Sequence, residues 1–291
     1  MQVIKYKNRN GELLGAADRQ DLIMRQLYSH FAGRMLVKFL ICPPVSRMAG
    51  IFLNSRLSKP LIPADVRRGH RDMSEYEKQS FSSYNDYFCR KRVPQACAVD
   101  LEPSHLISPC DSLLSVYPIE EDRHFNIKHT RYTVDTLLRS RKLAKRYAGG
   151  YACVFRLTVR DYHHYCYVDD GATTSIRRID GVLHTVNPIA NDITPIYKEN
   201  TREYSILRSQ NFGNILMMEV GALLVGRIVN RSGASSVKRG QEKGHFEFGG
   251  STVILLLEPG KVRMDRDLLR NSRHGFETRV HMGEKIGVKS V

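Results

Sequence analysis

Acidic residues are in short supply in this 291-residue chain. Thirty Asp and Glu stand against 45 Lys and Arg, leaving a formal charge of +15 at neutral pH. Such an imbalance selects a polyanionic partner, either nucleic acid or an anionic membrane. No run interleaves aromatics with Lys/Arg along one sheet face, as a nucleic-acid platform requires, so nucleic acid is not expected. No two of the six cysteines (Cys42, Cys89, Cys97, Cys110, Cys153 and Cys166) are spaced C-x-x-C. This argues against a zinc knuckle and for reduced thiols in a reducing compartment. A spanning helix needs about 20 apolar residues in a row. The best stretch, residues 35–53, is interrupted by Lys38, Pro43, Pro44 and Arg47. The first apolar stretch begins late and carries charges, so no secretory signal is legible. There is no Gly-x-Ser-x-Gly elbow, which argues against an ordinary α/β hydrolase. Internal repeats and low-complexity blocks are also lacking.

What is there begins with a basic N-terminal region, where residues 1–60 hold ten Lys/Arg and three acids. Residues 17–40 read as a helix, with Met24, Tyr28, Phe31, Met35 and Phe39 forming one apolar stripe at steps of three and four. Pro43-Pro44 is expected to end it. The stripe suits either a helix packed on its own domain or one lying in a lipid interface. Residues 74–92 read as a second helix, capped by Ser74 with Glu77 as its capping-box partner. A third is expected over 132–147, stopped by Gly149-Gly150. From Tyr151 onward, short β-rich segments separated by Gly, Asn and Asp predict strands over 151–159, 172–178, 181–186, 203–207, 215–220, 223–229 and 252–257. Residues 261–291 have weak periodicity and read as a tail with a disordered end. The expected fold class is α+β: a mainly antiparallel β core over residues 76–291, with a helical annex over 1–75 as the membrane contact.

One stretch organises the rest. Residues 246–257, Phe-Glu-Phe-Gly-Gly-Ser-Thr-Val-Ile-Leu-Leu-Leu, pass from alternation through a Gly-Gly-Ser-Thr bend into a continuous apolar run. That is the pattern of a buried strand entered through a tight turn. Ser251 then presents its hydroxyl near the carbonyl of Gly250, although a β-bulge or hairpin corner would read the same way. Residues 160–171 (Arg-Asp-Tyr-His-His-Tyr-Cys-Tyr-Val-Asp-Asp-Gly) are the densest polar cluster, and histidine exchanges protons near neutral pH. His163 and His164 point to opposite faces of an extended chain, so they cannot chelate a metal together, and no metal site is expected. Asp111, in a Pro-Cys-Asp-Ser turn, and His184, in a Leu-His-Thr-Val-Asn-Pro segment, are further candidates. Asp111, one of these histidines and Ser251 make up the residue types of a serine nucleophile set. Residue types alone leave hydrolase and self-processing enzyme both open.

The segments 84–91, 108–112, 161–164, 181–188, 218–228 and 239–254, taken in this order, resemble those of the phosphatidylserine decarboxylases. Tyr84–Lys91 is similar to F-N-x-F-F-x-R-x, Ser108–Ser112 to S-P-x-D-G, and Asp161–His164 to D-Y-H-R. The resemblance implies a proenzyme that cuts itself between Gly250 and Ser251. It gives a β chain (1–250) and an α chain (251–291) that begins with a pyruvoyl group derived from Ser251. This cofactor would form a Schiff base with phosphatidylserine and release CO2 and phosphatidylethanolamine. The implied catalytic residues are Asp111, His163 and Ser251. The implied partners are the lipid, an anionic membrane surface and the chain's own cleaved fragment. The implied location is peripheral, at the cytoplasmic face of the cell membrane. Many family members have D-Y-H-R-x-H, whereas here His164 replaces the arginine and Cys166 the second histidine. His163 is therefore the first choice for the processing base. His184 is the second, because members with cysteine at the later position carry L-H-T-V-N-P, and His164 and Cys166 are additional candidates. A decarboxylase of another serine phospholipid, and a lipid-binding relative that does not process itself, would share these motifs.

Overall fold

The computed structural model describes residues 5–16, 43–69, 72–78, 80–127, 130–181, 196–221, 227–231, 233, 235–247 and 251–290. The helix expected over 17–40, His184 with its segment, and Gly250 lie outside the described residues.

Seven consecutive apolar or hydroxyl residues, Ser251–Leu257, form a strand in which every residue is buried. A strand covered on both faces has no need of alternation, which is why its sequence reads as one continuous run. It lies inside an 11-stranded sheet. Gly213–Val220 pairs antiparallel on one side (Met218 with Ile254), and Tyr151–Leu157 on the other (Ser251 with Leu157). Beyond Tyr151–Leu157 come Ser112–Pro118 and then Glu277–Val280, followed by the N-terminal strands Lys5–Lys7 and Leu13–Ala16. Beyond Gly213–Val220 come Arg202–Ser209 and Gly171–Thr173. Burying each Val, Ile or Leu of the central strand contributes about 1.5–3 kcal/mol, which makes this strand the spine of the core. A smaller sheet pairs His164–Cys166 with Glu242–Phe246, and the latter with Ile228–Asn230.

The α+β reading holds, with a mainly antiparallel β core, but several local expectations are corrected. No single helix spans 74–92: a 3-10 turn at Met73–Glu75 is capped by Asp72, and a short helix at Tyr84–Phe88 is capped by Ser83. Side-chain caps at both positions favour two short pieces over one long one. The expected 132–147 helix is likewise split into Val134–Leu138 and Arg141–Ala144. Arg139 turns left-handed between them (φ 48°), and Ser140 caps the second piece. Pro43 and Pro44 are the first described residues of the helix Pro43–Asn54. A Cβ on Gly150 would lie 1.9 Å from the Leu257 carbonyl oxygen, so the chain enters the Tyr151 strand through a residue without one.

The largest correction concerns the C-terminal segment, which is ordered. Glu277–Val280 is an interior strand of the main sheet, Arg266–Arg273 is a helix, and Lys285–Lys289 pairs with both Val262–Met264 and His105–Ile107. Its polar residues are buried by pairing: Glu277 with Arg156, and Thr278 with Asn271. This pairing removes the hydrophobic rhythm by which strands are usually recognised.

Candidate active site

Ser251 is the first residue of the central strand and is fully buried. Its Oγ has no hydrogen-bond partner among the described residues. A buried hydroxyl without a partner is costly and calls for an explanation beyond packing.

His163 follows the turn that leaves Leu157, the residue paired with Ser251. The turn is fixed by Thr158 N donating to Asp161 Oδ2 and by an ion pair between Asp161 and Arg279. The His163 carbonyl accepts from Phe246 N at 2.9 Å, tying it to the strand that leads towards Ser251. Its Nδ1 lies 2.9 Å from the Asp161 carbonyl oxygen. A carbonyl can only accept, so Nδ1 carries the proton and Nε2 is the basic nitrogen. Phe88 packs on the ring at 4.1 Å between centroids.

Asp111 sits elsewhere. Its neighbour Ser112 pairs with Val280, and Leu113 pairs with Arg156 in the strand between Asp111 and Ser251. The two backbones are thus two strand spacings apart, about 10 Å. Asp111 is buried and accepts from Met282 N at 2.8 Å and from Arg92 Nη1 at 2.8 Å, while His281 Nδ1 stands at 3.8 Å. Burial pushes the carboxyl up, but His281, Arg92 and the Met282 amide outweigh it and hold the group below the usual aspartate range. Asp111 in turn raises the His281 imidazole above its ordinary value, against the smaller opposing effect of burial.

His281, Arg92 and Arg279 are site-region residues that sequence reasoning missed. Two belong to the segment read as a tail, and nothing in their local sequence marks them. His164 is held at both nitrogens, with Nδ1 at 3.2 Å from Glu242 Oε1 and Nε2 at 3.1 Å from the Cys89 carbonyl oxygen. Cys166 is buried beneath the Ser108–Ser112 turn, where its amide donates to the Pro109 carbonyl. Burial pushes its thiol up to about 12, so it is a neutral thiol at physiological pH and not a base.

The family model for phosphatidylserine decarboxylase matches residues 84–288. The chain belongs to the phosphatidylserine decarboxylase family. It is 46% identical over 265 residues to phosphatidylserine decarboxylase proenzyme 2 of Clostridium acetobutylicum, with 91% of each chain covered. It is 42% identical to a phosphatidylserine decarboxylase proenzyme of Clostridium tetani over 84% of each chain. A third proenzyme of the same name, from Ruminiclostridium cellulolyticum, is 35% identical over 91% of this chain and 90% of that one. Within the span matched to the phosphatidylserine decarboxylase family lie Asp111, His163, Ser251 and also His281.

Proposed function

We propose that this chain is a proenzyme that cuts itself between Gly250 and Ser251 and then converts phosphatidylserine to phosphatidylethanolamine and CO2. The observation that carries this reading is the buried Ser251 hydroxyl at the head of the central strand, in a family whose relatives are named proenzymes. His163 Nε2 takes the hydroxyl proton, with His184 as the second candidate, and Oγ attacks the Gly250 carbonyl carbon. The Gly250–Ser251 C–N bond breaks as the acyl group moves from nitrogen to oxygen. Loss of the Ser251 α-proton then expels the Gly250 carboxylate, and water replaces the nitrogen of the resulting dehydroalanine, releasing ammonia. The residues present fit a pyruvoyl group at position 251, since its precursor hydroxyl is spared from structural hydrogen bonding among the described residues. This group supplies an electron sink for the bond that releases CO2. Asp111 is proposed as a member of the processing set in its carboxylate form, held ionised by His281, Arg92 and the Met282 amide.

Cleavage would not release the smaller fragment. Ser251–Leu257 lies between two strands of the larger one, and Glu277–Val280 lies between Ser112–Pro118 and Lys5–Lys7. Arg9 also bonds to Asp265, Asp267 and Glu284 across the same divide. The product is an α/β heterodimer held by sheet pairing.

We assign the membrane contact to the N-terminal helices. Met48, Ile51, Phe52, Leu57 and Leu61 are exposed apolar side chains beside the exposed Arg56, Lys59 and Arg67. Among the described residues no helix is long and apolar enough to cross a membrane. Apolar side chains with basic neighbours suit a peripheral position, each basic residue contributing about 1 kcal/mol near an anionic surface. Sedimentation with anionic vesicles should be strong at low salt and weaken at high salt. Ile51→Asp with Phe52→Asp should reduce it at least tenfold, and salt-independent failure of the unaltered protein to bind would remove the membrane from the reading.

The processing base is assigned by electrophoresis of His163→Ala and His184→Ala beside the unaltered protein. His163→Ala should stay uncut; if it is cut and His184→Ala is not, the base is His184. Headgroup assays distinguish phosphatidylserine from other serine phospholipids, and a single uncut band from the unaltered protein would identify a non-processing relative.

A further inference from the structure

We propose that His164, Glu242 and His245 form a site for one divalent transition-metal ion of the zinc class. Their ligand atoms all lie within 4.8 Å of one another. A four-coordinate ion with bonds of about 2.0–2.1 Å draws its ligands to within about 3.5 Å of each other, a closure that side-chain rotation supplies.

The strand register creates this grouping. Residues at i and i+3 of a regular strand face opposite sides, so Glu242 and His245 should diverge. A register shift between Glu242 and Gly244 brings both to the same partner strand, with Glu242 opposite Cys166 and His245 opposite His164. The His164 and His245 rings stack at 4.9 Å between centroids.

The contacts around His164 orient it towards the other two ligands. The Cys89 carbonyl can only accept, so Nε2 of His164 carries a proton. Nδ1 of the same ring lies 3.2 Å from Glu242 Oε1, so these two ligand atoms already face each other. A backbone carbonyl on the far nitrogen is also the support that metal-binding histidines commonly have. Glu242 is oriented in a similar way: Oε2 is 2.9 Å from Arg231 and 3.8 Å from Lys91, which leaves Oε1 for the ion. Two imidazoles and one carboxylate, with a fourth position open to water, suit zinc, cobalt or nickel rather than magnesium or calcium. The ion would clamp Glu242–Phe246 to His164–Cys166, stiffening the strand that leads to the Gly250–Ser251 bond.

The test uses the full processed protein, stripped with chelator and titrated with Co2+. One equivalent should bind, produce the intense visible bands of a four-coordinate site and raise the thermal midpoint by several degrees. His245→Gln and Glu242→Gln, each checked for folding by circular dichroism, should bind at least tenfold more weakly. X-ray absorption on the unaltered zinc-loaded protein should show imidazole nitrogen and carboxylate oxygen around the metal. No uptake at one equivalent, unchanged uptake in both variants, or a sulfur shell around the metal would each overturn the site.

Discussion

Ser251→Ala is expected to leave a single chain of 33.3 kDa that neither cuts itself nor releases CO2 above background. The substitution removes one oxygen from a fully buried position, so the fold should survive and the loss is chemical. Without Oγ no nucleophile attacks the Gly250 carbonyl, no ester forms and no ketone appears at position 251. Both activities therefore disappear together, a larger effect than loss of a general base, which typically costs 10²–10⁴-fold. Intact-mass measurement reads the outcome directly. The unaltered protein should give fragments 1–250 and 251–291, the smaller lacking a free amine at its start, whereas the variant should give one species. If the variant were cut at the same bond, or the unaltered protein kept its serine and still decarboxylated, the proposed chemistry would fail.

Lys243→Ala should be the most destabilising of the single changes considered. Lys243 and Glu219 are almost completely buried and joined by a 2.7 Å ion pair. Asn230 accepts from Lys243 and donates to Glu219 at 3.0 Å, and Tyr165 donates to the same Asn230 oxygen. Glu219 is paired in register with Val253, on the Ser251 strand itself. Removing the lysine strands a carboxylate in the core, a change that costs about 3–5 kcal/mol. For a chain of this size that corresponds to about 5–8 °C in Tm, best measured in the uncut Ser251→Ala background so that unfolding stays unimolecular.

The effect should depend on pH. Burial already pushes Glu219 above the usual glutamate range, with Lys243 and Asn230 opposing the shift. Without Lys243 the folded-state value rises further above the unfolded one. The folded chain then holds a proton that the unfolded chain has lost, so stability falls as pH increases. Lys243→Ala should accordingly be less damaging at pH 5 than at pH 8. Replacing both partners, Lys243→Met with Glu219→Gln, should recover most of the loss. A deficit independent of pH, or one the double change did not relieve, would contradict the paired-charge account.

The residues divide into those legible in sequence and those that were not. The 252–257 strand was readable because a fully covered strand must be apolar throughout. Gly149-Gly150 was read as a helix stop, and the close approach of Gly150 to the Leu257 carbonyl was not legible. The 74–92 and 132–147 helices were misread because apolar spacing outweighed the capping residues Ser83 and Ser140, which cut both segments short. At the candidate site, Ser251 was singled out from its Gly-Gly-Ser-Thr bend, His163 from the family resemblance and Asp111 from its Pro-Cys-Asp-Ser turn. Its partners were not: Met282, whose amide it accepts, lies 171 positions away.

By itself the sequence determined the family, the buried strand that begins at Ser251 and the basic character of the N-terminal region. Each is written in consecutive residues, as hydrophobic run, motif or charge excess. Tertiary structure alone decided that the C-terminal segment belongs inside the main sheet, that Asp111 faces Arg92 and His281, and that a register shift groups His164 with Glu242 and His245. The reason is that strand order and register arise from pairing between distant segments. A buried ion pair such as Arg156–Glu277 needs both members before either becomes recognisable as core.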